Sequence, residues 1–136
     1  MQVREIMNKK VDVINYMRSA KEAAKMMKMG DYGSLPVERD DKMVGMITDR
    51  DITLRVVGED KDPNITKVQD CMSKGINYCF DTDDIKVLAD KMKSSRHRRI
   101  PVVNKDKKLV GIVSTRELLT KVNDHELSYE TMAKIC

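Results

Sequence analysis

The chain has no tryptophan, a single phenylalanine (Phe80) and four tyrosines among 136 residues. A protein that grips single-stranded nucleic acid needs aromatic platforms for the bases and a basic groove for the backbone. The first is missing, and the second is not evident: 26 Lys and Arg stand against 22 Asp and Glu, with the two signs interspersed. Nucleic acid is therefore a disfavoured partner. Long apolar runs are also absent, and a membrane helix needs roughly 20 such residues in succession. The start, MQVREIMNKK, carries charges where a signal peptide would carry its apolar stretch. The expectation is a cytoplasmic chain with no membrane contact. Cysteine is scarce: Cys71, Cys79 and Cys136 make an odd number with no CxxC pair, which argues against a complete disulfide framework. His97 and His125 share no ligand spacing with these cysteines, so no metal site is expected. No nucleophile–base pair and no glycine-rich phosphate loop is found, which argues against an enzyme.

What the chain does contain, it contains twice. Displaced by 65 residues, the first half falls onto the second. Val3, Met7 and Lys9 meet Val68, Met72 and Lys74; Lys21, Ala24, Met27 and Lys28 meet Lys86, Ala89, Met92 and Lys93. Pro36, Val37, Asp41 and Lys42 meet Pro101, Val102, Asp106 and Lys107. One extra residue then enters the second copy, after which Val44, Gly45, Arg50 and Val56 meet Val110, Gly111, Arg116 and Val122. Self-similarity at a fixed offset is the signature of duplication.

Each copy reads in the same order. In SAKEAAKMMKMG, Ala20, Ala23, Ala24 and Met27 fall at helical spacing; Ser19 and Glu22 fit a capping box, and Gly30 is placed to end the helix. The second copy has Asp84 as cap, a stripe of Ile85, Leu88, Ala89 and Met92, and an end at Ser94-Ser95. Short apolar runs follow, SLPV (34–37) and IPVV (100–103), then polar turns and second strands, MVGMIT (43–48) and LVGIVS (109–114). That pattern predicts a hairpin. Final helices are predicted over 49–57 and 115–122. VREIM and VQDCM read as lead-in helical turns, and strands near 11–14 and 76–80 complete each sheet. Repeat 1 thus spans 1–57, a polar linker 58–66, repeat 2 67–122, and a tail helix 123–136. A half of this size is marginal alone, so the two sheets are expected to pack around one shared core. The fold class is α+β, two βαββα-type repeats packed pseudo-symmetrically.

The strings LPV…GMITDRD and IPVV…GIVSTRE, twice and in register, resemble the CBS domain found in tandem. The closer likeness is to small stand-alone CBS-pair proteins of bacteria and archaea. The resemblance implies a regulatory module, with no prosthetic group, that binds an adenosine-containing ligand in the cleft between repeats: AMP, ADP, ATP, S-adenosylmethionine or NAD. It also implies a homodimer and an output through a separate protein target. The alternative is a ligand-free dimer whose surface acts on that partner.

Within this frame a carboxylate suits the neighbouring hydroxyls of a ribose, a part given to Asp51, with Asp49 beside it. Thr48 offers a hydroxyl, and the helix start adds N–H donors for an anion. By family position, Val11, Val13 and Ile14 in copy one and Ile76, Tyr78 and Cys79 in copy two line an adenine slot. Arg98 and Arg99, just before Pro101, are the phosphate contacts, since the guanidinium fork matches phosphate oxygens. Ser114 and Glu117 hold the positions of Thr48 and Asp51. Both pairs also fit a capping box. Capping is the favoured role for Glu117, whose extra methylene puts its carboxylate out of register, and ligand contact for Asp51. One composite cleft is expected rather than two equivalent ones.

Overall fold

The first sheet lies within Asp12–Ile76, one of two units into which the computed structural model divides; every residue except Ile76 is described. Strand β1 (Ile14–Asn15) runs parallel to β2 (Ser34–Arg39), which pairs antiparallel with β3 (Lys42–Thr48), giving the order β1-β2-β3. Asp40 and Asp41 close the β2–β3 turn at φ of 52° and 62°, the left-handed pair that a two-residue hairpin requires and that aspartate tolerates. Helix α1 (Ala20–Gly30) buries Ala20, Ala23 and Met27 against Leu35, Val37 and Ile47 of the sheet. The Ser19 hydroxyl accepts from the Glu22 N–H at 3.1 Å, but the Glu22 carboxylate turns to Arg18, so only half of the expected capping box forms. The left-handed residue ending the helix is Asp31 rather than Gly30. Helix α2 (Asp49–Ile52) follows β3 and continues as a π-helical turn over Thr53–Val57. Helix α3 (Val68–Cys71) supplies two more buried residues, Val68 and Cys71.

The other unit joins Met1–Val11 to Asn77–Cys136. Its sheet repeats the first: β4 (Cys79–Phe80), β5 (Arg99–Val103) and β6 (Leu109–Ser114) in the order β4-β5-β6. Even the irregularity is repeated, a register shift at Val37/Glu38 in one sheet and at Val102/Val103 in the other. Helix α4 (Ile85–Ser95) covers the sheet, and α5 (Thr115–Lys121) follows β6. Helix α6 (His125–Ile135), capped by Asp124, packs on α4 and α5. The core contains Val3, Ile6, Cys79, Leu88, Ile100 and Leu118. The expectation of one shared core is thus corrected. Each sheet has its own buried cluster, because the helices of each unit already cover an apolar face.

The units are not the sequence repeats. The lead-in segment of each repeat pairs with the last strand of the other. In the first-sheet unit, Ser73 N–H donates to Met46 C=O at 2.9 Å and Met46 N–H to Ser73 C=O at 3.2 Å. In the second, Asn8 and Ile112 make the same exchange at 2.8 and 3.0 Å. A basic side chain from the helical segment that follows the hairpin in each unit ties the segment down. Arg55 donates to the carbonyls of Cys71 and Met72 at 3.2 and 2.8 Å, and Lys121 to that of Ile6 at 3.4 Å.

The repeated glycines follow from this crossing. A Cβ on Gly45 would lie 2.7 Å from the Ser73 carbonyl oxygen, and one on Gly111 would lie 2.6 Å from Met7 Sδ and 3.1 Å from the Asn8 oxygen. A backbone oxygen cannot move aside without breaking the pairing, whereas a thioether can turn away. Gly45→Ala should therefore cost about 1–3 kcal/mol, the usual range for overpacking, and Gly111→Ala less. Chemical denaturation of the two variants checks the ranking, and equal midpoints would remove this account of the motif.

Candidate functional site

The junction between β3 and α2 gathers Thr48, Asp49 and Asp51. Thr48 is the helix N-cap: its hydroxyl accepts from Asp51 N–H at 3.0 Å, and the Asp51 carboxylate accepts from Thr48 N–H at 3.0 Å. Both Asp51 carboxylate oxygens also take the Ser73 hydroxyl, at 3.1 and 3.3 Å, and the Arg55 guanidinium stands 3.8 Å away. Asp51 is only 8% exposed. The expectation of free N–H donors at this helix start is corrected: Asp49 N–H donates to Gly33 C=O at 2.9 Å and Arg50 N–H to the Asp49 carboxylate at 2.8 Å. Asp49 itself is exposed.

At the β6–α5 junction the pattern recurs with one methylene more. The Ser114 hydroxyl accepts from Arg116 N–H at 3.2 Å and donates to the Glu117 carboxylate, which also accepts from Ser114 N–H at 2.7 Å. Burial alone would raise the Glu117 carboxyl, but the hydrogen bonds from Ser114 and from its own N–H, with the Lys121 charge, together outweigh it and hold the group below its ordinary value of 4.5. Thr115 N–H donates to Arg98 C=O at 2.9 Å. Arg99, half-buried on β5, stands opposite Ser114 in the register, while Arg98 is exposed and Pro101 is buried. In the first sheet Ser34 stands opposite Thr48, where the second has arginine.

The expected adenine slot is only partly legible. Val13 is 39% exposed, and Tyr78 is half-buried, edge-on to Phe80 at 5.6 Å. Ile14 and Cys79 turn their side chains into the two cores, at 3% and 0% exposure, as strand alternation sends them inward. Half-buried Val11 ends the segment that belongs to the second-sheet unit, and Ile76 lies outside the described residues. An open cavity of about 480 Å³ beside β1 and α1 has Val13, Ile14, Arg18 and Lys25 on its wall, but neither Thr48 nor Asp51. Burial pushes the Cys79 thiol up to about 11. It also raises that of Cys71, to which the charge of Asp51 adds. Ser73 and Arg55 are the residues that sequence reading missed. The only signal was the repeated glycine, which implies that another backbone comes close.

Two sheets of one topology, each ending in a capped strand-to-helix junction, define a tandem module of duplicated α+β repeats. The chain belongs to the CBS-domain family, whose pattern matches residues 3–58 and again 68–124. Hypoxic response protein 1 of Mycobacterium tuberculosis is 30% identical over 91% of this chain and 87% of its own length. The crystal structure of Hypoxic Response Protein I, with two coordinated zinc ions, superposes at a TM-score of 0.83 and 30% identity, covering 90% of this chain and 99% of that one. Among the described residues here, no group of three or more His, Cys, Asp and Glu is placed to hold a metal ion. The crystal structure of CBSX2 in complex with AMP superposes at 0.74 and 22% identity, over 88% of this chain and 94% of that one. No helix among the described residues is long and apolar enough to cross a membrane.

The cap at Ser114 is testable on its own. Ser114→Ala should cost about 1 kcal/mol, as for other N-caps. Glu117 has its folded value lowered, so its contribution is present above about 4.5 and is lost as pH falls through the folded value. Glu117→Gln should therefore be less stable at neutral pH and lose less stability than the parent on acidification. Denaturation midpoints across the acid range check it, and parallel curves would contradict it.

Proposed function

We propose that this chain is a regulatory module that binds an adenosine-containing ligand: AMP, ADP, ATP, S-adenosylmethionine or NAD. The observation that carries the reading is Asp51, a carboxylate fixed at the end of a CBS strand by the backbone of its own helix start. An anionic acceptor with several lone-pair directions matches the paired hydroxyls of a ribose. Thr48 adds a hydroxyl beside it. Arg98 and Arg99 of the second repeat are the proposed phosphate contacts, through guanidinium–oxygen pairing. AMP in CBSX2 supports the ligand class. Glu117 is assigned to its helix cap, so the two junctions are unequal. The module is regulatory rather than catalytic, acts as a homodimer, and passes its state to a separate protein.

A second reading is favoured by one fact. Asp51 already has protein partners and is nearly buried, as suits a ligand-free interaction module. A thermal-shift panel with the five ligands separates the two. A ligand at a hundred times its dissociation constant stabilises by about 2.7 kcal/mol, which amounts to several degrees in a chain of this size. The shift should vanish in Asp51→Ala and persist in Glu117→Ala. No shift at millimolar ligand favours the interaction reading. Light scattering tests the dimer separately, against the 15.6 kDa of one chain.

A further inference from the structure

Helix α6 packs on α4 and α5 and covers the helical layer of the second-sheet unit. Two small side chains on α6 are buried there: Ser128 and Thr131 are 6% and 0% exposed, and the Ser128 hydroxyl donates to Leu118 C=O of α5 at 3.4 Å. On α4, Ala89 is fully buried and Lys93 keeps 25% of its side chain exposed. The matching residues of α1, Ala24 and Lys28, are both exposed. No tail helix covers them. After Val57 the chain turns back as the linker and lands on the N-terminal end of α1, where Ala20 N–H donates to Thr66 C=O at 2.8 Å and Lys21 N–H to Pro63 C=O at 3.1 Å. The two copies also differ in sequence here. Leu54 and Val57, on the π-helical turn that continues the helix packed on α1, are 51% and 66% exposed, and the same positions after β6 are Thr120 and Asn123. Apolar residues stand open where the covered copy carries polar ones, which marks a surface that something covers.

We propose that two copies of this chain join through this face of the first-sheet unit alone, α1 antiparallel to α1, and that α6 withholds the matching face of the second-sheet unit. This rests on the reading of the chain as a homodimer and names the surface. A two-fold contact must be complementary to itself, and this face is. Ala24 lies near the middle of α1, so an axis there sets one small side chain against the other and lets the helices approach closely. Charge changes sign along the face. Lys25 and Lys28 outnumber Asp31 toward the C-terminal end of α1, while at the N-terminal end Glu59, Asp60 and Asp62 of the linker outnumber Lys21 and Lys61. Antiparallel pairing lays the basic end of each copy on the acidic end of the other, and parallel pairing opposes like charges. Assembly stops at two copies because each chain offers one such face.

Light scattering on the full chain over a concentration series reads the assembly. The parent should show twice 15.6 kDa. Ala24→Glu and Leu54→Glu, both at exposed positions, should each raise the dissociation constant about a hundredfold by bringing carboxylates into the contact, with helical content unchanged by circular dichroism. Tyr129→Glu, on the solvent side of α6 at 75% exposure, should leave the mass as it is. Lys28→Glu should weaken the dimer about tenfold, and Glu59→Lys added to it should restore the parent value. A parent of 15.6 kDa at every concentration removes the homodimer reading and this interface together. A dimer that survives both Ala24→Glu and Leu54→Glu overturns the interface and keeps the homodimer reading. A dimer broken by Tyr129→Glu, or an assembly larger than two copies, overturns the one-sided arrangement. Lys28→Glu that Glu59→Lys does not rescue overturns the antiparallel pairing.

Discussion

The pairing of each lead-in segment with the last strand of the opposite repeat is the constraint on which the rest depends. Strands β3 and β6 are the edges of three-stranded sheets, and an edge strand exposes backbone donors and acceptors that invite foreign pairing. Ser73 on Met46 and Asn8 on Ile112 satisfy part of each edge. The same segments carry Val68 and Cys71 into one core, and Val3 and Ile6 into the other, all at 0–1% exposure. A single repeat would lack both its edge cover and part of its core. Domains of this size are already marginal, so duplication is a condition of stability here.

That exchange also explains why similar junctions differ. Asp51 and Glu117 both close capping boxes, and both would read as helix-start acids. The shorter side chain stops where the incoming segment places a hydroxyl, and Ser73 completes it. The longer one curls back far enough to take both the N–H and the hydroxyl of Ser114. The side-chain length and the incoming residue, Ser73 in one unit and Asn8 in the other, together decide whether the carboxylate serves its own helix alone or also grips a segment more than twenty residues away.

Features that depend on neighbours in sequence were legible there. Helical spacing located α1 and α4, the polar turns located the hairpins, and Thr48 and Ser114 were readable as caps. Contacts set by chain crossing were not. VQDCM looks the same whichever sheet it joins, because local periodicity records which face is apolar and not which edge is near. The burial of Ile14 and Cys79 was hidden for a related reason: a two-residue strand leaves too little alternation to tell inward from outward. The end of α1 was misjudged because aspartate, like glycine, can hold the left-handed turn.

On the proposed reading the partners of Asp51 cut both ways. Thr48 N–H and the Ser73 hydroxyl fix the carboxylate in place, so little freedom is left for a ligand to remove there. The same partners satisfy part of its acceptor capacity, so a group with a single donor gains little. Sites built around buried hydrogen-bonding groups reject analogues lacking the partner far more strongly than apolar pockets do. The partnered carboxylate that favours the ligand-free reading is thus also what a selective site would need.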